Sequence, residues 1–165
     1  MTFTELLALV SWGSGGGVCS DSRKVDEGSV FVAITGTAAD GHDFIGEAVA
    51  KGAKYIVCEN QRECGEAEEI IVVDSSEALG LLAQGRFGNP SAKLVNLAVT
   101  GTNGKTTVSY LVRSVVVAAG KECGLVGTIG YETGLNSHKA VMTTPDALAI
   151  AKMAGEMVEA GHEYM

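Results

Sequence analysis

Apolar residues in this chain arrive in short runs separated by glycine-rich or acidic stretches, and the runs alternate between two periods. Residues 4–10 have room for one or two helical turns before the glycines at 13–17 interrupt them. The run 30–34 is apolar and rich in β-branched and aromatic residues, and it predicts a buried strand. A polar loop over 35–43 follows. Phe44, Ile45, Ala48 and Val49 then recur at helical spacing as far as Gly52, placed as a C-terminal capping glycine. Strands are predicted at 55–58 and 70–73, and Ser75 or Ser76 opens a helix carrying Leu79, Leu81 and Leu82. This makes a small α/β unit ending near Phe87. Gly88, Asn89, Pro90 and Ser91 read as a linker, because Gly and Pro with little apolar content punctuate domains.

A second unit opens with an apolar strand over 94–99 that runs into a glycine turn and then a helix to about Ala119, closed by Gly120. Strands are expected at 124–129 and 140–142. Pro145 is placed at the first helical position after Thr144 as N-cap. The following helix carries Leu148, Ile150, Ala151, Met153, Ala154, Met157 and Val158 up to Gly161. Alternating strands and helices imply a parallel sheet covered on both faces. The second unit offers few strands for such a sheet, so the sequence reads as the front of a longer protein. The expected architecture is an α/β domain over 1–88, then the first part of a parallel-sheet nucleotide-binding domain over 92–165.

Composition narrows the function classes. The chain has 165 residues, 46% of them hydrophobic, which suits packed cores rather than disorder. Its 22 glycines suit tight turns and close backbone approach to a ligand. The net charge of −8, with no run of Lys or Arg, argues against a nucleic-acid groove or an anionic membrane surface. Cys19, Cys58, Cys64 and Cys123 form no C-x-x-C pair and no zinc spacing with His42, His138 or His162, so each is expected to be a small buried apolar residue. No apolar run approaches the ~20 residues of a membrane span, and the early run 6–10 is too short for a signal peptide. A cytoplasmic setting is expected.

The chemistry concentrates in Thr100-Gly101-Thr102-Asn103-Gly104-Lys105-Thr106-Thr107. A strand, a glycine turn, Lys and Thr, then a helix is the order that aims backbone N–H groups and the positive end of a helix dipole at phosphate oxygens. Lys105 is placed to bridge the β- and γ-phosphates of ATP, and the Thr106 hydroxyl to ligate Mg²⁺. The loop departs from the longer G-x-x-x-x-G-K-[ST] form, since Val99 stands where the first glycine would fall. Asp74 ends an earlier run and is expected to cap the next helix rather than to bind Mg²⁺.

The short loop resembles, residue for residue, the ATP loop of the Mur ligases, which add amino acids to UDP-N-acetylmuramic acid. The first unit's Asp21-Ser22-Arg23-Lys24-Val25, Gly28-Ser29-Val30-Phe31-Val32-Ala33-Ile34 and Asp40-Gly41-His42-Asp43-Phe44-Ile45 resemble the UDP-sugar domain of the same family. Gly127-Thr128-Ile129-Gly130-Tyr131 and Thr143-Thr144-Pro145-Asp146 resemble its MurE-type branch. The resemblance implies that Thr102, Asn103, Gly104, Lys105, Thr106, Thr107 and Val108 surround the ATP phosphates, with Lys105 as the catalytic cation and Thr106 on the metal. It implies that Ser22, Thr143 and Thr144 contact the UDP-sugar substrate. Arg23 is left between a pyrophosphate and an acidic neighbour, and His42 is read as a loop hydrogen-bonder.

The family mechanism this implies is attack of the substrate's terminal carboxylate on the γ-phosphate, then displacement of phosphate from the acyl phosphate by an incoming amine. The implied substrates are UDP-N-acetylmuramoyl-dipeptide and a free diamino acid, with no nucleic acid and no membrane, on a monomeric enzyme. The later magnesium-binding glutamate, the modified lysine and the amino-acid-selecting domain would lie beyond Met165, so this chain alone is expected to be inactive. Another Mur-like ligase (the D-Ala-D-Ala-adding type or a folylpolyglutamate-synthase relative) and a non-catalytic nucleotide-binding module stay open as alternatives.

Overall fold

The structure, a computed structural model, describes residues 1–13, 16–36, 39–140 and 145–165. The chain divides into two compact units, Met1–Arg86 and Phe87–Met165.

In the first unit, helix α1 (Phe3–Ser11) precedes four strands, β1 (Val18–Cys19), β2 (Val30–Val32), β3 (Tyr55–Cys58) and β4 (Glu68–Ile71). They pair in that order, all parallel. Every residue of β2 and β3 is buried, as the unbroken apolar runs require of a sheet covered on both sides. Strand alternation sends Phe31, Ala33, Ile56 and Cys58 into a cluster with Ile45 and Ala48 of helix α2 (Ile45–Ala50). The opposite face is covered by helix α3 (Ser75–Arg86), which packs on α1 and on the strands. Gly85 allows that packing: a β-carbon there would lie 2.7 Å from Ser11 Oγ and 2.9 Å from Leu7 Cδ1. Leu6, Val10, Phe31, Ile56 and Leu82 are wholly enclosed, and each such burial contributes roughly 1.5–3 kcal/mol.

Helix α3 begins at Ser75, and its cap is Asp74, whose Oδ1 accepts from Ser76 and Glu77 N–H at 2.8 and 2.9 Å. Gly52, at φ +94°, follows α2 as expected of a capping glycine.

The second unit contains α4 (Lys105–Ala118), β5 (Leu125–Val126), β6 (Gly130–Glu132), β7 (Ser137–Lys139) and α5 (Ala147–Glu159). Three expectations change here, one being that 94–99 forms no continuous strand and, among the described residues, bridges only through Val95. The run 124–129 is not one strand: it ends at Val126, turns through 127–129 and returns as β6, antiparallel to β5. A second tight turn over 133–136 brings back β7, also antiparallel. Connections this short cannot make the crossover that parallel neighbours need.

The parallel pairing of this unit lies elsewhere. Val95 and Cys123 each form a parallel bridge with Tyr164, so the 163–165 segment runs between 95–97 and 122–124. Its backbone bonds include Val95 N–H to Glu163 O at 2.8 Å and Gly124 N–H to Tyr164 O at 2.9 Å. The third change concerns α5. Its N-cap is Asp146, which accepts from Ala149 N–H at 2.8 Å, so Pro145 precedes the cap instead of opening the helix. Val141 and Met142 of the expected strand 140–142 lie outside the described residues, as does the expected cap Thr144.

Among the described residues, no helix is long and apolar enough to cross a membrane. All four cysteines are buried thiols.

Candidate functional site

The glycine loop of the second unit leaves the extended 94–99 segment and turns through Gly101 (φ +148°) and Gly104 (φ +78°) into α4. Both φ values lie in the region that only glycine enters without strain. Gly104 is the N-cap of α4 and has no side chain to fold over the helix end; no capping hydrogen bond forms there. Helices α1 and α5, by contrast, are closed by Thr2 and Asp146. The first backbone N–H groups of α4 therefore point outward with the positive end of its dipole behind them.

Lys105 folds back over the loop: its Nζ donates to Gly101 O at 2.6 Å and reaches Thr102 O at 3.5 Å. That holds the ammonium at the loop mouth. Thr106 Oγ1 lies 3.4 Å from Thr128 Oγ1, so a hydroxyl pair stands at the foot of the helix. Lys105, Thr106, Ser109, Gly127 and Thr128 line a cavity of about 290 Å³ whose remaining walls include Leu97, Leu125 and Ile150. Thr102, Asn103, Thr107 and Val108 are exposed around the same helix start. This donor set, an ammonium, two threonine hydroxyls and free helix N–H groups, suits phosphate oxygens, with the Thr106 hydroxyl available to a hard cation.

A separate cavity of about 530 Å³ lies in the first unit, lined by residues that include Asp21, Ser22, Arg23, Gly41 and Glu47. Ser22 sits in a short 3₁₀ turn (Ser22–Lys24) that Asp21 opens by accepting from Arg23 N–H at 3.0 Å. Its hydroxyl donates to Glu47 Oε2 at 2.9 Å, and its carbonyl accepts from Lys51 Nζ at 3.0 Å. Lys51 also bonds Glu47 Oε1 at 2.7 Å. Lys51 first, then Ser22, holds the Glu47 carboxyl below its usual range.

Arg23 meets its acidic neighbour: its Nε and Nη2 bond Asp21 Oδ1 and Oδ2 at 2.9 and 2.8 Å. These bonds, with the Arg23 N–H, bring the Asp21 carboxyl down to about 2. His42 is a buried loop hydrogen-bonder. Its Nε2 accepts from Glu59 N–H at 3.4 Å, which leaves the ring proton on Nδ1, 2.6 Å from Asp40 Oδ1.

Sequence reasoning singled out Ser22, Lys105 and Thr106 but missed the side chains beside them. Glu47 and Lys51 carry a readable signal, an i,i+4 acid–base pair on a helix, but nothing in the sequence says that the pair closes on Ser22. Thr143 and Thr144 lie outside the described residues.

The second unit thus carries a glycine loop that feeds an uncapped helix start, and the first unit carries a polar cavity of its own. Residues 16–87 match the model described as Mur ligase family, catalytic domain, and residues 99–165 match the Mur ligase middle domain. The chain belongs to the Mur ligase family.

It is 45% identical, over 88% of its length, to the UDP-N-acetylmuramoyl-L-alanyl-D-glutamate--2,6-diaminopimelate ligase of Parabacteroides distasonis, covering 30% of that protein. It is 41% identical, over 87% of its length, to the ligase of the same name from Clostridium perfringens, again covering 30%. A solved structure of a UDP-N-acetylmuramoyl-L-alanyl-D-glutamate--2,6-diaminopimelate ligase superposes with a TM-score of 0.69 at 28% identity, covering 91% of this chain and 31% of that one. The chain thus spans about 30% of the length of the curated relatives it matches.

Proposed function

We propose that this chain forms the substrate- and ATP-holding part of a cytoplasmic ligase that joins a diamino acid to UDP-N-acetylmuramoyl-L-alanyl-D-glutamate during peptidoglycan synthesis. The observation that carries this reading is the uncapped start of α4, with Lys105 and Thr106 on it, in a chain whose relatives are named for that reaction. In the reading, the first unit (1–88) holds the UDP-sugar through Ser22, and Thr143 and Thr144 of the second (92–165) add contacts to the same substrate. The loop from Thr102 to Val108 receives the triphosphate.

Phosphoryl transfer asks little covalent chemistry of a protein; it needs positioning and charge neutralisation. Lys105 moves from the Gly101 carbonyl to the phosphate oxygens, exchanging a neutral acceptor for an anionic one. The N–H groups of Lys105, Thr106 and Thr107 fix the phosphates along the helix axis. Thr106 would help hold a Mg²⁺ ion through its hydroxyl oxygen, and the ion would supply further neutralisation of phosphate charge. The chain supplies no nucleophile in this scheme, since the attacking carboxylate belongs to the substrate.

The test is calorimetric titration of the chain with Mg·ATP, comparing wild type with Lys105→Ala. A charge-assisted hydrogen bond contributes roughly 1.5–3 kcal/mol, so affinity is expected to fall at least about tenfold while the melting curve stays in place. Equal affinities would remove Lys105 from the site and the reading with it.

A further inference from the structure

A serine that contacts a ligand needs its hydroxyl held in a fixed direction. Ser22 is almost fully enclosed, and its hydroxyl proton is committed to Glu47 Oε2 at 2.9 Å. Lys51 fixes the arrangement from the other side. One ammonium bonds the second oxygen of the same carboxylate at 2.7 Å and the Ser22 carbonyl at 3.0 Å, so Ser22 and Glu47 are clamped at both ends. Arg23 and Asp21 complete the charged surroundings and neutralise each other through their paired hydrogen bonds.

We propose that Glu47 is a positioning residue for the UDP-sugar site: by accepting the Ser22 proton it turns the Ser22 lone pairs toward the cavity, so that Ser22 recognises an N–H or O–H donor of the ligand and not a phosphate oxygen. The proposal rests on the reading of Ser22 as a substrate contact.

The chemistry follows from the hydroxyl's inventory of one donor and two acceptor sites. With the donor spent on a carboxylate, which when ionised can only accept, the hydroxyl has nothing to offer a phosphate. A nucleobase imide, a sugar hydroxyl or an amide N–H fits what remains. Lys51 bonds the second oxygen of the carboxylate, and its charge favours the ionised form. Glu47 itself lines the cavity beside Ser22 and Gly41.

The experiment is titration of the 165-residue chain with UDP-N-acetylmuramoyl-L-alanyl-D-glutamate, using wild type, Ser22→Ala, Glu47→Ala, Glu47→Gln and the double variant Ser22→Ala/Glu47→Ala. Thermal melts of each show that the fold persists. A hydrogen bond at stake implies that Ser22→Ala and Glu47→Ala each weaken binding by about tenfold. Because both act through one hydroxyl, the double variant should match Ser22→Ala to within roughly twofold. Glu47→Gln keeps a carbonyl to accept the Ser22 proton and should recover most of the loss.

If Ser22→Ala binds like wild type, or wild type does not bind, the site reading fails and takes the proposal with it. If Ser22→Ala is weak while Glu47→Ala is unchanged, or the double variant loses a further tenfold, or Gln behaves as Ala, only the positioning role of Glu47 falls.

Discussion

Gly41 and Gly46 stand five residues apart on the wall of the first unit, and alanine at each should move stability in opposite directions. Gly41 opens the 3₁₀ turn (Gly41–Phe44) after Asp40 and donates its N–H to Ile34 O at 2.8 Å. A β-carbon on it would lie 2.6 Å from Ile34 N, 2.7 Å from Ile34 O and 3.3 Å from the Ala33 carbonyl carbon. These are main-chain atoms just past β2, which is pinned by parallel pairing to β1 and β3 and cannot swing aside as a side-chain tip could. Relief requires the turn to lift away by roughly an ångström, an overpacking cost of about 1–3 kcal/mol. Stretching the Gly41–Ile34 hydrogen bond adds roughly 0.5–1.5 kcal/mol.

Gly41→Ala should therefore destabilise the first unit by about 2–4 kcal/mol and lower its melting temperature by at least ~8 °C, at ~4–8 °C per kcal/mol for a domain of this size. Gly46, inside α2, is exposed with nothing within 4 Å of its β-position. Gly46→Ala should gain up to about 1 kcal/mol from helix propensity alone. Urea unfolding followed by circular dichroism, with hydrogen exchange at the β2 and β3 amides to isolate the first unit, measures both. Gly41→Ala as stable as wild type, or Gly46→Ala costing as much as Gly41→Ala, would refute the packing argument.

The Asp21 carboxyl, held at about 2 in the folded chain against an ordinary 3.8, contributes stability that is complete above the ordinary value and lost as pH falls toward 2. Arg23→Ala should shallow that acid loss, and an NMR titration should show Asp21 rising yet staying under 3.8, because the backbone N–H of residue 23 remains. Burial pushes the Cys19 and Cys58 thiols up to about 11, so native-state labelling by a disulfide reagent at pH 8 should be slow at both and become fast only in denaturant. Rapid native labelling at either would contradict its burial. Limited proteolysis should cut first within 87–89, the exposed turn where the second unit begins. A first cut within 30–34 or 70–73 would place the boundary elsewhere.

What the sequence made legible, and what it withheld, divides by the range of the interaction. The runs at 30–32 and 55–58 were readable as central strands because a parallel sheet buries both faces and needs no alternation. The last strand of the first sheet was displaced for a tertiary reason. The apolar letters favour 70–73, but pairing of Tyr55 with Glu68 and Cys58 with Ile71 sets the register, and it leaves Val73 wholly exposed. At α5 both Thr144 and Asp146 have cap chemistry, and the helix starts where Asp146 reaches Ala149.

The phosphate loop was legible because it is local: glycine geometry, Lys105 and the helix start all lie within eight consecutive residues. The surroundings of Ser22 were not, because Glu47 and Lys51 approach it only once the turn after β1 and the helix after β2 pack together. A serine in an Asp-Ser-Arg turn is equally suited to bonding its own backbone or a ligand. Only the packed structure shows its proton spent on a carboxylate two elements away, and that one fact limits what the cavity side of the hydroxyl is able to recognise.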